Sequence, residues 1–137
     1  MHSLAELDDA IPRLAEILGA RRKVALYGDL GAGKTTLVQA FCRWLGAKDT
    51  ATSPTFSLVN EYGYLNTEGS PALVHHLDLY RLNSTQEALD IGIGELLYDP
   101  WYCFIEWPQL IEPYLPEDSA KIQLDILSET ARRMLIL

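Results

Sequence analysis

Hydrophobic and polar residues follow helical spacing in some segments of this chain and strand-like runs in others, which predicts an α/β fold. Near the N-terminus, Ser3 and Glu6 have the spacing of a helix capping box. Apolar residues then recur on one helical face, and Pro12 falls among them, so we expect the helix to kink or to restart there. The face consists of Leu4, Leu7, Ile11, Leu14 and Leu18.

A short apolar segment, residues 23–27, is typical of a buried strand, and a second helical segment follows it. Gly46 supplies the stop signal of that helix. A second capping box, Ser84 with Glu87, predicts a short helix that ends at about Leu89. The apolar face of the longer helix is formed by Leu37, Ala40, Phe41, Trp44 and Leu45.

Further strands are predicted at residues 56–62 and 72–79, and the polar link between them indicates a hairpin. Residues 101–105 form a run too apolar to face water, which ends at Glu106, and two more strands are expected at 121–126 and 132–136. We therefore predict one domain over residues 1–137, with a three-layer α/β fold. Its central sheet is expected to be mixed, mainly parallel, with an antiparallel hairpin.

Residues 28–35 match the phosphate-binding pattern G-x-x-x-x-G-K-[ST]. Gly28, Gly31 and Gly33 allow the backbone to take positive φ and to approach a phosphate, with amide hydrogens forming a nest for the anion. Lys34 is expected to reach the β- and γ-phosphates, and the hydroxyl of Thr35 to bind Mg²⁺. A strand precedes the pattern and a helix follows it, as this mechanism requires. We therefore expect the three-layer fold to be P-loop NTPase-like.

A P-loop also needs a carboxylate at the end of a buried strand to hold Mg²⁺, and both Glu106 and Asp78 qualify. The alternative for each is a strand-end acid that emerges into solvent. His75 and His76 are adjacent, so in a strand they point to opposite faces, and His76 shares a face with Asp78. We favour histidines in polar contacts over a transition-metal site.

Two further features leave alternatives open. Thr52, Ser53 and Thr55 surround a proline between the P-loop helix and the next strand, where P-loop proteins carry a switch segment that senses the γ-phosphate. An ordinary Ser/Pro turn explains the same residues. Arg81 is a candidate internal arginine finger, and packing explains it equally well. The three tryptophans are expected to pack in the core or beside it.

The charge balance is 11 − 19 = −8, and such an acidic chain repels phosphate backbones. We therefore expect no direct, unaided binding to nucleic acid. Cys42 and Cys103 lie in apolar segments and are expected to be buried, reduced thiols. The acidic N-terminus does not resemble a signal peptide, and no apolar run approaches the roughly 20 residues of a membrane helix. These features predict a cytoplasmic protein that does not enter a membrane.

Four segments together resemble the TsaE family, also called YjeE. Their order and spacing match that family, and the resemblance extends from about Leu14 to Leu127. The family consists of bacterial P-loop ATPases needed to make N6-threonylcarbamoyladenosine in tRNAs that decode ANN codons. The segments are residues 28–36 (GDLGAGKTT), 52–62 (TSPTFSLVNEY), 76–82 (HLDLYRL) and 105–107 (IEW).

The resemblance implies roles for particular residues. Residues 31–36, which include Ala32 and Thr36, would wrap the phosphates of ATP, with Lys34 contributing to catalysis. Thr35 and Glu106 would coordinate Mg²⁺, and Asp78 would be catalytic, orienting the attacking water. Thr52, Ser53 and Thr55 would form the switch-like segment, and Trp107 would support the site or the surface that meets a partner.

The resemblance also implies partners. Proteins of this family act with TsaB and TsaD, and their ATP hydrolysis resets that complex between rounds, whereas carbamoyl transfer belongs to TsaD. The family usually has threonines near the adenine in its N-terminal segment, but no threonine precedes Thr35 here. Backbone or apolar contacts to the base are therefore expected. The absence of a guanine-recognition motif favours ATP over GTP.

Three classes of function are compatible with a P-loop in a chain of this kind. An accessory ATPase, slow alone and stimulated by its partners, agrees best with a chain too short for a lid and an acceptor domain. A small-molecule phosphotransferase would need an acceptor and a cluster of arginines around the transferred group, which the sequence does not suggest. A nucleotide-binding adaptor would bind ATP tightly and show no stimulated turnover.

Overall fold

The computed structural model describes residues 3–51 and 59–137. Helices and strands alternate along most of this length, as the hydrophobic pattern predicts. The helices are α1 (Leu4–Leu18), α2 (Lys34–Leu45), α3 (Thr85–Asp90) and α4 (Ile93–Tyr98), with a 3₁₀ helix at Pro108–Tyr114. The strands are β1 (Lys23–Tyr27), β2 (Lys48–Ala51), β3 (Val59–Leu65), β4 (Pro71–Asp78), β5 (Tyr102–Glu106), β6 (Ala120–Ile126) and β7 (Arg132–Ile136).

Within these described ranges the strands form one seven-stranded sheet in the order β2-β3-β4-β5-β1-β6-β7. Parallel pairing joins β4 to β5, β5 to β1 and β1 to β6. Antiparallel pairing places β3 and β7 against the direction of the other strands. The predicted mixed, mainly parallel sheet is therefore confirmed. No helix among the described residues is long and apolar enough to cross a membrane.

The hairpin predicted from the pattern is the antiparallel pair β3–β4, whose register runs from Val59 opposite Leu77 to Leu65 opposite Pro71. The Asn66 side chain accepts hydrogen bonds from the amides of Glu68 and Ser70 at 2.9 and 3.0 Å, which closes the turn. Residues 56–58 of the predicted first strand lie outside the described residues.

Helix α1 continues through Pro12 without a break, so the restart that the sequence left open does not occur. The Ser3 side chain caps the helix by accepting from the amide of Glu6 at 3.2 Å. A missing hydrogen bond at a helical proline costs about 3 kcal/mol, but four buried side chains hold the helix on the sheet. These are Leu7, Ile11, Leu14 and Leu18.

Apolar clusters cover both faces of the sheet, which confirms the three layers. Helices α1 and α2 pack with one cluster, and α3, α4 and the 3₁₀ helix pack with the other. Cys42 and Cys103 are buried free thiols, one in each cluster, as expected. Trp44 lies beside the core and not in it: 47% of it is exposed at the end of the apolar face of α2, and its ring packs edge-on against the buried Phe41.

Candidate nucleotide-binding site

The P-loop runs from the carboxyl end of β1 to the start of α2, and its glycines have backbone angles that other residues avoid. The φ angles of Gly28, Gly31 and Gly33 are 147°, 81° and 101°. At Gly28 space is also limiting, because an added Cβ would lie 2.6 Å from the carbonyl oxygen of Leu124 on β6. The loop is therefore shaped by left-handed backbone angles and by close contact with the sheet.

The backbone of the loop leads directly into the first turn of α2. Gly33 occupies the N-cap position, and its carbonyl accepts from the amide of Leu37 at 2.8 Å. The amide of Ala32 donates to the carbonyl of Asp29 at 3.0 Å, which closes a turn inside the loop. The first amides of an α-helix have no intrahelical acceptor and lie at the positive end of the helix dipole. This arrangement is suited to a phosphate.

Lys34, the first residue of α2, is buried at the floor of the site. Its Nζ donates to the carbonyl oxygen of Gly28 at 2.6 Å and lies 3.4 Å from the centroid of the Trp107 ring. Burial lowers the pKa of Lys34, and the nearby carboxylates of Glu106 and Asp78 oppose that shift. The ammonium group is thus held beside the loop by a carbonyl and an aromatic ring.

Glu106 ends β5 and is the buried acid of the site, with 4% of its surface exposed. Its Oε2 accepts a hydrogen bond from Thr35 Oγ1 at 2.7 Å and is in contact with His76 Nε2. Burial acts to raise the pKa of Glu106, but the hydrogen bonds from His76 and Thr35, with the charge of Lys34, hold it below its ordinary value. Glu106 is therefore a carboxylate at neutral pH.

The donor set around Glu106 is compatible with Mg²⁺. Thr35 Oγ1 and the Glu106 carboxylate supply adjacent oxygen atoms, which this ion prefers. Among the described residues no group of three His, Cys, Asp or Glu side chains could hold a metal. Mg²⁺ commonly takes few protein ligands and completes its shell with water and substrate phosphates. A hydroxyl and a single carboxylate next to a P-loop fit that pattern.

Asp78 ends β4 directly beside Glu106, since the two residues are register partners on parallel strands. It is less buried than Glu106, and its Oδ1 accepts from the amide of Tyr80 at 3.1 Å. The two carboxylates therefore reach the same cleft in different environments, one partly open to solvent and the other enclosed by hydrogen-bond donors.

Trp107 follows Glu106 with φ 57° and ψ 59°, a left-handed conformation that is rare outside glycine and costs on the order of 1–3 kcal/mol. This conformation coincides with two ring contacts. The indole lies against the Lys34 ammonium, and its centroid is 5.0 Å from that of Tyr80. Trp107 thus connects the P-loop lysine to the segment after β4.

Two adjoining cavities open at the P-loop. The first, about 260 Å³, contains the polar groups described above and is lined by Leu30, Gly31, Gly33, Lys34, Thr35, Thr36, Asp78, Tyr80, Glu106 and Trp107. The second, about 420 Å³, is more apolar and is lined by Ser3, Leu7, Gly31, Ala32, Gly33, Thr36, Leu37, Leu124, Glu129, Thr130 and Arg132. Gly31, Gly33 and Thr36 border both cavities.

The structure brings together most of the residues singled out in the sequence. Five P-loop residues, Gly31, Gly33, Lys34, Thr35 and Thr36, border one cleft together with Asp78, Glu106 and Trp107. Ala32 borders the adjoining cavity instead, and Gly28 packs against Leu124 of β6. Arg81 is exposed and is not found among the described residues that line this cleft. The switch-like residues Thr52, Ser53 and Thr55 lie outside the described residues, so their role stays a prediction.

The two histidines occupy opposite faces of β4, as their adjacency requires. His75 Nε2 lies 3.0 Å from Glu61 Oε2, whereas His76 contacts Glu106 in the site. Sequence reasoning placed His76 in a polar contact without finding its partner. The sequence does offer one signal for this location: His76 lies two residues before Asp78, so the two side chains are on the same face of the strand.

Comparison with known proteins identifies a family. The family model described as threonylcarbamoyl adenosine biosynthesis protein TsaE matches residues 1–134. The tRNA threonylcarbamoyladenosine biosynthesis protein TsaE of Bacillus subtilis is 33% identical over 132 residues, covering 96% of this chain and 75% of that protein. The protein of the same name from a Nostoc species is 41% identical over 125 residues, covering 88% of this chain and 72% of its own length.

A solved structure is also similar. The crystal structure of Bacillus subtilis YdiB superposes with a TM-score of 0.69 at 27% sequence identity, covering 98% of this chain and 79% of that one. The family model and the relatives extend over nearly the whole chain, as the four motifs suggested. The chain belongs to the TsaE family.

Proposed function

We propose that this protein is a Mg²⁺-dependent ATPase of the cytoplasmic machinery that makes threonylcarbamoyladenosine in tRNA, acting on a complex of TsaB and TsaD. Membership of the TsaE family supports the pathway. The convergence of Lys34, the Thr35–Glu106 pair and Asp78 in one cleft carries the enzymatic part of the proposal.

The P-loop supplies the binding interactions for the phosphates of ATP. The loop amides and the first turn of α2 form an anion site, and the Lys34 ammonium adds a positive charge. Gly28 and Trp107 hold that ammonium beside the loop, where phosphate oxygens would compete for it as nucleotide binds.

The second cavity is suited to the nucleoside of ATP. It adjoins the phosphate cleft through Gly31, Gly33 and Thr36, and much of its wall is aliphatic. Ser3 and Leu7 bring the N-terminal helix to this cavity, and Leu124 borders it from β6. Because the N-terminal segment has no threonine, apolar and backbone contacts would replace threonine contacts to the base there.

Mg²⁺, when bound, would neutralise charge that develops on the phosphates during hydrolysis. Thr35 and Glu106 are the residues that would hold it. His76 contacts the same Glu106 oxygen as Thr35 does, which holds the carboxylate in place and helps to keep it ionised. Asp78, which is nearer to solvent, is in the cleft where it can orient the attacking water.

Hydrolysis by the isolated protein is expected to be slow. An arginine that neutralises charge in the transition state is often worth about a thousandfold or more in rate. Arg81 is exposed, outside the cleft. A partner protein that supplies a charge or orders the site would therefore accelerate the reaction.

Steady-state ATP hydrolysis, measured with Mg²⁺ in the presence and absence of the TsaB–TsaD pair from the same organism, tests this proposal. Strong stimulation by the pair is the expected result, and Lys34→Ala should abolish it. Tight ATP binding without any stimulation would instead support a nucleotide-binding adaptor. Transfer of phosphate to a small acceptor in a metabolite screen would support a phosphotransferase.

A further inference from the structure

Arg132, the first residue of β7, reaches across to the backbone of the P-loop. Its Nε and Nη2 donate to the carbonyl oxygen of Gly31 at 3.3 and 3.2 Å. Arginine presents these N–H groups in a planar fork, so two of them can converge on one acceptor. The contact joins residues that are 101 positions apart in the chain.

The other edge of the same guanidinium group is anchored to the turn between β6 and β7. Nη1 donates to the carbonyl oxygens of Ser128 and Ala131 at 2.7 and 3.0 Å. That turn is itself closed by Ser128 Oγ, which accepts from the amides of Thr130 and Ala131 at 3.3 and 3.1 Å. The guanidinium therefore has a fixed support when it contacts the P-loop.

The peptide group that Arg132 contacts is the one that joins Gly31 to Ala32. Its carbonyl is held by the guanidinium, and its N–H donates to Asp29 at 3.0 Å, so both ends of the peptide plane are fixed. Gly31 begins this peptide and Gly33 follows Ala32, at φ 81° and 101°, and an added Cβ at either glycine would meet nothing within 4 Å. Side-chain packing therefore does not restrain the backbone dihedral angles of these two glycines.

We infer that Arg132 is a positioning residue that preorganises the P-loop for phosphate, so that it sets the affinity for ATP rather than the rate of hydrolysis. A loop with two unrestrained glycines would otherwise have to be ordered when the nucleotide binds, which weakens affinity. The inference rests on the proposed function only for the identity of the ligand, because the contacts that restrain the loop are made within the chain itself.

Two simpler explanations make different predictions. Arg132 also borders the larger cavity, so its charge alone could attract an anionic nucleotide. It could also serve only to stabilise the end of β7. The first explanation predicts that lysine replaces it fully, and the second predicts a lower melting temperature with no selective change in affinity for ATP.

The first measurement is hydrogen exchange of the nucleotide-free protein, with peptides that cover residues 28–34. Arg132→Gln and Arg132→Lys are both expected to speed exchange of the Ala32 region, since neither side chain offers the planar N–H pair. Arg133→Gln and Arg133→Lys are matched controls, because Arg133 is the next residue on β7 and pairs with Asp125 at 2.9 Å. Melting temperatures monitor folding of all four variants.

The second measurement is ATP affinity by calorimetry, together with KM and kcat for hydrolysis. Both Arg132 variants should bind ATP about tenfold more weakly, the order expected for one hydrogen-bonded charged group. The value of kcat at saturating ATP should change by less than about twofold, and the Arg133 controls should match the wild type.

The outcomes separate this inference from the proposed function. Faster exchange in the Arg132 variants together with weaker ATP binding supports both. Faster exchange in a protein that binds no ATP even as wild type supports the restraint and overturns the proposed function. Normal exchange and normal affinity in the Arg132 variants of an ATP-binding protein overturn the inference alone. Full affinity in Arg132→Lys also overturns it, in favour of charge attraction.

Discussion

Asp78 and Glu106 are register partners at the carboxyl ends of the neighbouring parallel strands β4 and β5. Paired positions on parallel strands point to the same face of the sheet, so both carboxylates enter the P-loop cleft. Their surroundings differ, because Glu106 is enclosed by Thr35 and His76 whereas Asp78 accepts from a backbone amide near the surface. Because their surroundings differ, we expect the two acids to have different roles, and each role is tested by its own substitution.

Asp78→Asn should slow ATP hydrolysis and leave ATP affinity close to that of the wild type. The expected loss in kcat is about a hundredfold or more, the order associated with loss of a group that positions or activates a nucleophile. Single-turnover hydrolysis and calorimetric binding of ATP measure the two quantities separately. A collapse of binding would show that Asp78 is a ligand or a structural residue instead.

Glu106→Gln should raise the Mg²⁺ concentration needed for half-maximal hydrolysis, because an amide is a weaker ligand for a hard cation than a carboxylate. The measurement is a Mg²⁺ titration at saturating ATP. Glu112→Gln is a control acid, since Glu112 accepts from the hydroxyl of Tyr27 at 2.8 Å and is not among the residues that border the cleft. An unchanged titration for Glu106→Gln would remove this residue from the metal site.

Gly28→Ala should destabilise the protein and weaken ATP binding, because the new Cβ would be placed 2.6 Å from the Leu124 carbonyl at a φ of 147°. Overpacking of this kind costs about 1–3 kcal/mol in the free energy of unfolding. Denaturant unfolding measures that loss. The control is Gly94→Ala in α4, where an added Cβ meets nothing within 4 Å and φ is not in the left-handed range. Equal stability of the two variants would contradict the packing of the loop on β6.

Cys42 and Cys103 should resist alkylation in the folded protein at pH 8. Burial raises the pKa of Cys42 to about 11 and that of Cys103 to about 12, so the reactive thiolate is scarce at this pH. As pH rises towards these values the thiolate fraction grows, and Cys42 should react first. Mass spectrometry after iodoacetamide treatment measures the labelling, with guanidinium-unfolded protein as the reactive control. Rapid labelling of folded Cys103 would contradict its burial.

Much of the fold could be predicted from the sequence because strong periodicity and capping residues coincide. The face of α1 and the capping box at Ser84 and Glu87 correspond to observed helices. Helix α4 was not predicted. It has six residues, it follows α3 closely, and its start depends on Gly92 in a left-handed conformation, so no long repeat marks it. Strand β2, of four residues, and the 3₁₀ helix at Pro108–Tyr114 were missed for the same reason.

Part of the candidate site could likewise be predicted from the sequence, and part could not. The P-loop could be located because its residues are contiguous and each has a mechanical role. The partner of His76 and the contact of Arg132 with Gly31 depend on which strands are neighbours, which local pattern does not specify. The residues alone could not decide whether Asp78 or Glu106 is the carboxylate that would hold Mg²⁺. The strand register explains why, since the two acids are paired and both reach the cleft.

The nucleotide site at the P-loop is tested most directly by ATP binding to the wild-type protein, to Lys34→Ala and to Lys121→Ala, measured by calorimetry with Mg²⁺. Lys121 is an exposed lysine on β6, so its replacement removes the same charge away from the cleft. Lys34→Ala should weaken binding by at least about tenfold, while Lys121→Ala should bind as the wild type does. Failure of the wild type to bind ATP, or equal binding by all three proteins, would contradict a nucleotide site at the P-loop.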